Sequence, residues 1–131
     1  MKILITDDDF VCRKVMVKFL SEYGEADVAV NGNEALNAFK SAFEDGEPYD
    51  LVCLDIMMPE MDGQSVLKEI RDYEQSKGVF GLESVKIIMT TALNDPENIK
   101  TAFREQCEAY IVKPVDKDKL TQKLKELELI K

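Results

Sequence analysis

The sequence predicts an α/β fold: a doubly wound, five-stranded parallel sheet with five helices. Two observations predict it. Five short strand-like runs alternate along the 131 residues with longer stretches whose apolar residues recur every three or four positions. The first, third and fourth runs are almost continuously apolar, as expected of central parallel strands with helices on both faces. At this length, a single domain with one substantial core is expected.

Each element has its own signal in the sequence. The predicted strands are Lys2–Thr6, Ala26–Val30, Asp50–Leu54, Val85–Thr90 and Ala109–Val112. The first helix, from about Phe10 to Tyr23, has a broad apolar stripe through Val11, Cys12, Val15, Met16, Phe19 and Leu20. The later helices have narrower stripes, formed by Leu36, Phe39 and Phe43, by Val66, Leu67, Ile70 and Tyr73, by Ile99, Ala102 and Phe103, and by Leu120, Leu124 and Leu127. Asn31-Gly32 and Asp62-Gly63 mark turns, and Asp95-Pro96 marks a helix start.

Composition narrows the class of partner. The chain has 17 Lys and Arg against 26 Asp and Glu, so its net charge is −9. Phosphate backbones are bound by clustered Lys and Arg, and we therefore expect no nucleic-acid partner. No apolar stretch reaches the roughly 18 residues of a membrane span, and the start of the chain does not resemble a signal peptide. We expect a cytoplasmic protein without a membrane partner.

Cysteine and histidine usage excludes several kinds of site. Cys12, Cys53 and Cys107 are odd in number and lack the C-x-x-C spacing, so neither a disulfide framework nor a zinc site is expected. Each cysteine is interpreted as a small buried side chain in a reducing compartment. Histidine is absent, which excludes histidine acid/base chemistry and a phosphohistidine on this chain.

Polar residues follow four of the predicted strands. Asp7-Asp8, Asp55, Thr91 and Lys113 each come at the carboxyl end of an apolar run. The carboxyl ends of parallel strands share one edge of the sheet, where open α/β sheets bind ligands. Two carboxylates about 5 Å apart repel by about 3 kcal/mol at an effective dielectric of 20. The three acids, Lys113 and one Mg²⁺ sum to zero charge, so the cluster is predicted to bind this cation.

A positioned carboxylate can attack phosphorus and form an acyl phosphate. Asp55 stands alone at the end of a buried central strand and is therefore the predicted phosphoryl acceptor. Thr91 would donate a hydrogen bond to one phosphoryl oxygen, and Lys113 would neutralise another.

The sequence resembles the response-regulator receiver domains of two-component signalling over essentially its full length. Four segments carry the resemblance: Ile3 to Asp9, Leu54 to Gly63, Met89 to Ala92, and Tyr110 to Pro114. We expect a stand-alone, chemotaxis-regulator-like member, with residues 1–131 as the receiver domain and no output domain.

The resemblance implies a flavodoxin-like sheet of order 2-1-3-4-5 and a cis Lys113-Pro114 bond. It implies Mg²⁺ binding by Asp8, Asp55 and the main-chain carbonyl of Met57, with Asp7 acting through water. A partner histidine kinase or histidine phosphotransfer protein would phosphorylate Asp55. Thr91 and Tyr110 would act as switch residues that remodel the face formed by the fourth helix, fifth strand and fifth helix. On this interpretation the chain is a phosphoacceptor and not an enzyme, its downstream protein target is unknown, and its output surface includes Lys100, Arg104, Lys119 and Lys123.

Two alternatives remain open. Asp7 to Val11 also fits the D-x-D-x-[TV] pattern of haloacid-dehalogenase-like phosphatases, with Asp7 as nucleophile and Asp9 as acid/base. That family places a second acidic pair late in the chain, where this sequence offers only Asp95, Glu97, Glu105 and Glu108 on helical ground. The second alternative is a receiver fold that serves only as a docking module.

Two local features depart from the family pattern. Met57 and Leu93 lack the amide or acid groups that some members use to handle attacking water, which leaves the dephosphorylation rate open. The segment from Ser76 to Ser84 is longer than the family minimum and contains Val79, Phe80 and Leu82. These side chains are expected to fold back over the lower edge of the core rather than to form a docking patch.

Overall fold

The computed structural model describes residues 1–92, 96–104 and 106–131. Five strands form one parallel sheet in the order β2-β1-β3-β4-β5, which confirms the predicted order. The strands are β1 (Lys2–Thr6), β2 (Glu25–Ala29), β3 (Leu51–Asp55), β4 (Lys86–Thr91) and β5 (Ala109–Val112). The helices are α1 (Phe10–Leu20), α2 (Gly32–Glu44), α3 (Gly63–Ser76), α4 (Pro96–Arg104) and α5 (Lys117–Glu126).

The helices cover both faces of the sheet, as predicted. One buried cluster joins alternate side chains of the strands to α2, α3 and α4, and includes Leu4, Leu54, Phe39 and Ile70. The other cluster joins the opposite side chains of the strands to α1 and α5, and includes Ile5, Leu20 and Leu124. Since successive side chains of a strand point to opposite faces, the two clusters are separated by the sheet itself.

Side-chain caps begin four of the helices. The carboxylates of Asp9, Asp62 and Asp116 and the amide oxygen of Asn31 accept hydrogen bonds from the first turns of α1, α3, α5 and α2. Each cap pairs backbone N–H groups that have no partner within the helix. The predicted start of α4 at Asp95 lies outside the described residues.

Three strands differ from the prediction by one residue at each boundary. β3 and β4 each begin and end one residue later than predicted, so Asp55 and Thr91 are the last residues of their strands. Backbone pairing explains the difference: Asp55 pairs with Thr90, and Thr91 pairs with Val112. β2 begins and ends one residue earlier than predicted, and Val30 beyond it is 40% exposed. α1 is shorter than predicted, ending at Leu20.

The expectation for the segment from Ser76 to Ser84 is wrong. Phe80 is 60% exposed and Leu82 is 93% exposed, while Val79 alone is half-buried. A short 3₁₀ turn at Gly81–Glu83 carries Leu82 away from the core. Val11 of α1 is also exposed, contrary to its place in the predicted stripe, because it lies on the solvent side of the first helical turn.

The cysteines are all free. Cys53 and Cys107 are buried and Cys12 is half-buried, in agreement with their interpretation as small core side chains. Within residues 1–92, 96–104 and 106–131, no helix is both long and apolar enough to cross a membrane.

Candidate functional site

The predicted site residues lie at one edge of the sheet. Asp7 and Asp8 follow β1, Asp55 ends β3, Thr91 ends β4, and Lys113 follows β5. The strand order reverses direction between β1 and β3, and in open parallel sheets this reversal leaves a crevice at the carboxyl edge. The acids flank that crevice.

Lys113 bridges two of the acids. Its Nζ lies 2.8 Å from Asp7 Oδ2 and 3.1 Å from Asp55 Oδ2, and both carboxylates are almost fully buried. Burial lowers the pKa of Lys113, but its hydrogen bond to Asp7 and the charges of Asp55 and Asp7 outweigh burial and leave the pKa raised. Lys113 is therefore protonated at neutral pH.

The surroundings of the Asp55 carboxyl group disfavour its ionised form. Its Oδ1 accepts a hydrogen bond from the Met57 amide at 3.2 Å. Burial and the charge of Asp7 raise the pKa of Asp55 to about 6, against the opposing effects of Lys113 and the Met57 amide. At neutral pH Asp55 is thus ionised, and a further positive charge beside it would be favourable.

Asp7, Asp8 and Asp55 form a cluster that fits a hard divalent cation. One carboxylate oxygen from each residue lies within 4.8 Å of the other two. Asp8 is exposed while the other two are buried. The three acids and Lys113 together carry a charge of −2, which one Mg²⁺ would balance, and oxygen is the ligand atom that Mg²⁺ prefers. The predicted carbonyl ligand belongs to Met57, whose amide already contacts Asp55.

Asp9 has a different role from its two neighbours. Its Oδ1 accepts hydrogen bonds from the amides of Val11 and Cys12, at 2.8 and 3.3 Å, and so caps α1. Its own amide donates to Asp7 Oδ1 at 2.9 Å. Asp9 therefore holds the turn between β1 and α1, which does not suit the acid/base role of the phosphatase alternative.

The late acids of that alternative are Asp95, Glu97, Glu105 and Glu108, and Glu97 lies in the first turn of α4. Asp95 and Glu105 lie outside the described residues. Glu108 pairs with Arg71 at 2.9 Å beside the amino end of β4, at the edge of the sheet opposite to the acid cluster. The predicted water-handling position Leu93 also lies outside the described residues.

The two predicted switch residues contact different parts of the molecule. Thr91 is 2% exposed at the end of β4, and its carbonyl accepts a hydrogen bond from the Lys113 amide at 2.7 Å. Tyr110 is half-buried on β5, where its ring packs edge to face against Phe103 of α4 with 5.8 Å between centroids. Thr91 therefore belongs to the edge that carries the acids, and Tyr110 belongs to the α4 side.

Two residues to which the sequence assigned no part in the site support it. A Cβ at Gly63 would lie 2.3 Å from the Asp55 carbonyl oxygen, so only glycine allows α3 to begin against this backbone. Arg13 Nη1 donates to the Asp7 carbonyl at 2.9 Å. A signal for Arg13 existed, because a cation in the first turn of a helix opposes the helix dipole and calls for a compensating contact.

Comparison with known families shows the family to which the chain belongs. Residues 3–125 match the family model described as the response regulator receiver domain. The chain belongs to this family. Membership over nearly the whole chain favours the receiver interpretation over the phosphatase alternative.

Sequence relatives include regulators of different lengths. Regulatory protein VanRB of Enterococcus faecalis is 35% identical over 112 residues, covering 86% of this chain and 44% of the relative. Chemotaxis protein CheY of Treponema pallidum is 33% identical over 125 residues, covering 94% of this chain and 79% of the relative. The chain spans less than half the length of several curated relatives that it matches.

Solved structures of receiver domains share the fold. CheY in the CheX-CheY-BeF3-Mg complex from Borrelia burgdorferi is 28% identical, with a TM-score of 0.84, over 100% of this chain and 90% of that chain. A second match is the co-crystal structure of the Saccharomyces cerevisiae histidine phosphotransfer protein Ypd1 and the receiver domain of Ssk1. That match has 28% identity and a TM-score of 0.83, over 97% of this chain and 88% of that chain.

Proposed function

We propose that this receiver domain accepts a phosphoryl group on Asp55 in a Mg²⁺-dependent reaction. A histidine kinase or a histidine phosphotransfer protein would donate the group. The chain would act as a phosphoacceptor that signals through protein contacts, and not as an enzyme that turns over a separate substrate.

One observation carries the proposal. Asp7, Asp8 and Asp55 offer carboxylate oxygens within 4.8 Å of one another, and the Lys113 ammonium lies within 3.1 Å of two of these residues. Lys113 balances only one of the three negative charges and the acids still repel one another, so the arrangement is explained by chemistry in which further positive charge enters the site. The similar CheY structure with BeF3 and Mg is consistent with such a site.

The transfer is a substitution at phosphorus. A carboxylate oxygen of Asp55 forms the new O–P bond while the P–N bond to the donor imidazole breaks, and the imidazole nitrogen keeps the electron pair of that bond. The pKa of about 6 leaves Asp55 ionised and nucleophilic at neutral pH. Lys113 moves from pairing two carboxylates to pairing a phosphoryl oxygen, and the Thr91 hydroxyl donates to another.

The bound cation would neutralise charge on the transferring group. Asp8 and Asp55 would hold it directly with the Met57 carbonyl, and Asp7 would hold it through water. The residues fit this assignment because they supply oxygen atoms only and a net charge that one divalent cation balances.

The phosphodonor is proposed to be a phosphohistidine on another protein. This chain contains no histidine, so the donor imidazole comes from a partner. The match to a receiver domain crystallised with the phosphotransfer protein Ypd1 supports this class of partner.

The output surface is proposed to be the face formed by α4, β5 and α5. Phe103 and Val112 are 45% and 37% exposed there, and the Tyr110 ring packs against the Phe103 ring. A groove of about 360 Å³ opens beside Tyr110 and is lined by the α5 residues Lys119, Gln122 and Lys123. Lys100 and Arg104 lie exposed on α4.

Charge reversal at Lys119 and Lys123 should weaken binding of the phosphorylated chain to its target, and unchanged binding would contradict this assignment.

The phosphoacceptor is tested by labelling with a small acyl-phosphate donor in Mg²⁺. Asp55→Asn should abolish stable incorporation, while Asp9→Asn should retain it because Asp9 caps α1 and takes no part in transfer. Labelled Asp55→Asn protein would overturn the proposal. A label carried by Asp7 in Asp55→Asn would favour the phosphatase alternative, in which Asp7 is the nucleophile.

A further inference from the structure

The backbone of Asp7 is held by a side chain from the next helix. Arg13 of α1 donates from Nη1 to the Asp7 carbonyl oxygen at 2.9 Å, in a partly buried hydrogen bond. This oxygen belongs to the peptide group that joins Asp7 to Asp8. Arg13 therefore contacts the link between two of the three acids without touching either carboxylate.

The other polar groups of Asp7 already have partners. Its amide donates to the Ala29 carbonyl at 3.2 Å, its Oδ1 accepts from the Asp9 amide, and its Oδ2 pairs with Lys113. With Arg13 on the carbonyl, every polar atom of Asp7 is bound. Asp7 is thus fixed in position before any cation enters the site.

Asp8 is in the opposite situation. It is exposed, and in the described part of the chain its carboxylate has no hydrogen bond or ion pair. Its direction depends on the backbone that carries it. That backbone is held on one side by the peptide that Arg13 binds, and on the other by the Asp9 cap of α1.

The stability of α1 does not explain why an arginine occupies position 13. It lies in the first turn of α1, where a cation opposes the positive end of the helix dipole. The guanidinium carbon lies 5.8 Å from the centre of the Phe10 ring, which restrains the side chain from the outer side. The contacts of Arg13 are therefore directed to the turn between β1 and α1.

We propose that Arg13 is a positioning residue for the cation site. By holding the Asp7 carbonyl, it fixes the Asp7–Asp8 peptide and keeps the Asp8 carboxylate directed towards Asp55. The inference rests on the proposed Mg²⁺ function. It states that Arg13 raises the affinity of the site for the cation, although the positive charge of Arg13 alone would lower that affinity.

The sign of the effect separates positioning from electrostatics. A positive charge near three acids repels an incoming cation, so removing it should strengthen Mg²⁺ binding if charge is its only influence. Losing the hydrogen bond to the backbone should weaken binding, because partners that orient metal ligands contribute strongly to affinity. The two explanations therefore predict changes in opposite directions.

Mg²⁺ titration followed by amide chemical shifts tests the proposal on the full chain. Arg13→Gln should weaken Mg²⁺ binding about tenfold, the lower end of the effect of losing a ligand-orienting partner. Arg13→Lys, which keeps a donor and the charge, should recover part of the loss. Lys14→Gln is the matched control, since it removes the same charge from an exposed neighbour and should leave affinity unchanged or slightly tighter.

Hydrogen exchange in metal-free protein gives a second readout. The Asp9 amide, which donates to Asp7 Oδ1, should exchange several-fold faster in Arg13→Gln than in wild type or Lys14→Gln. Equal exchange, or an Arg13→Gln affinity that matches Lys14→Gln, would overturn the positioning role. A wild-type chain that bound no Mg²⁺ would overturn the proposed function as well, which distinguishes the two failures.

Discussion

Asp55 is a buried carboxylate whose ionised form lowers the stability of the folded state. Burial and the neighbouring Asp7 raise its pKa from the ordinary 3.8 to about 6. The folded state therefore binds a proton more tightly than the unfolded state between these two pH values. Metal-free stability should fall as pH rises through this window, and the cost should be fully present above about pH 6.

Asp55→Asn should remove that cost. In metal-free buffer at pH 7 the variant should be more stable than wild type by about 1 kcal/mol, a value that allows for screening by water at the mouth of the site. Near pH 3.5 the two proteins should have similar stability, because Asp55 is then largely protonated in both states. Thermal unfolding from pH 3.5 to 8 measures the difference, and a variant less stable than wild type at pH 7 would contradict the argument.

Gly63 leaves room for the backbone of Asp55, the proposed phosphoacceptor. A Cβ there would come within 2.3 Å of the Asp55 carbonyl oxygen, so Gly63→Ala must displace β3 or the start of α3. The variant should lose about 1 to 3 kcal/mol of stability. Its rate of phosphorylation should fall by about tenfold or more, because the attacking carboxylate shifts with its backbone.

Gly46→Ala is the control for Gly63→Ala. Gly46 has a φ of +78°, and a Cβ added to it would have no neighbouring atom within 4 Å, so alanine there is strained but does not collide. The substitution should cost about 1 kcal/mol and leave the phosphorylation rate unchanged. Equal loss of rate in both variants would show that the effect of Gly63 is only one of stability.

Among the elements, α3 and β5 are joined by a buried ion-pair network. Arg71 uses all five of its N–H groups: Nη1 donates to Glu74 and to the Val85 carbonyl, at 2.7 and 2.9 Å. Nε and Nη2 donate to the Gln106 carbonyl, and Nη2 also donates to Glu108 at 2.9 Å. The network ties the end of α3 to the start of β4 and to the segment before β5.

Removing the cation of this network should be far more damaging than removing one acid. Arg71→Met leaves two carboxylates without their cation and should cost about 3 to 5 kcal/mol. Burial raises the pKa of Glu108 against the effect of Arg71, so its charge is only partly compensated. Glu108→Gln keeps an acceptor for Arg71 and should cost about 1 kcal/mol or less. Urea unfolding measures both, and similar losses would contradict this ranking.

The elements also show which features the sequence could predict. Strand positions followed from apolar runs, but Asp55 and Thr91 belong to their strands because neighbouring backbones pair with them, which no local pattern reveals. The acid cluster was predictable because parallel strands align their carboxyl ends. Arg71 was not predicted, since its partners lie up to 37 residues away in the chain.

Exposed apolar residues mark a second limit of prediction. Phe80 and Leu82 have the composition of core residues, yet the turn at Gly81–Glu83 directs them to solvent. Hydropathy describes the side chain, whereas burial depends on whether the backbone leaves an opening in the core. Arg13 was missed for a related reason, because its partner is a backbone carbonyl and not a side chain.

Across the whole molecule, we expect the net charge of −9 and the proposed cation site at the acid cluster to make stability depend on Mg²⁺. A cation that binds only the folded state at a hundred times its dissociation constant adds about 2.7 kcal/mol. For a chain of this size the midpoint of thermal unfolding should rise by about 10 °C.

NaCl at matched ionic strength should give a smaller rise, because it only screens repulsion among surface acids. Asp8→Asn should lose most of the Mg²⁺ response while keeping at least wild-type stability in metal-free buffer, because its exposed carboxylate lacks a partner among the described residues and its charge repels the other two acids. An equal response to NaCl, or an undiminished Mg²⁺ response in Asp8→Asn, would place the stabilising cation elsewhere on the acidic surface.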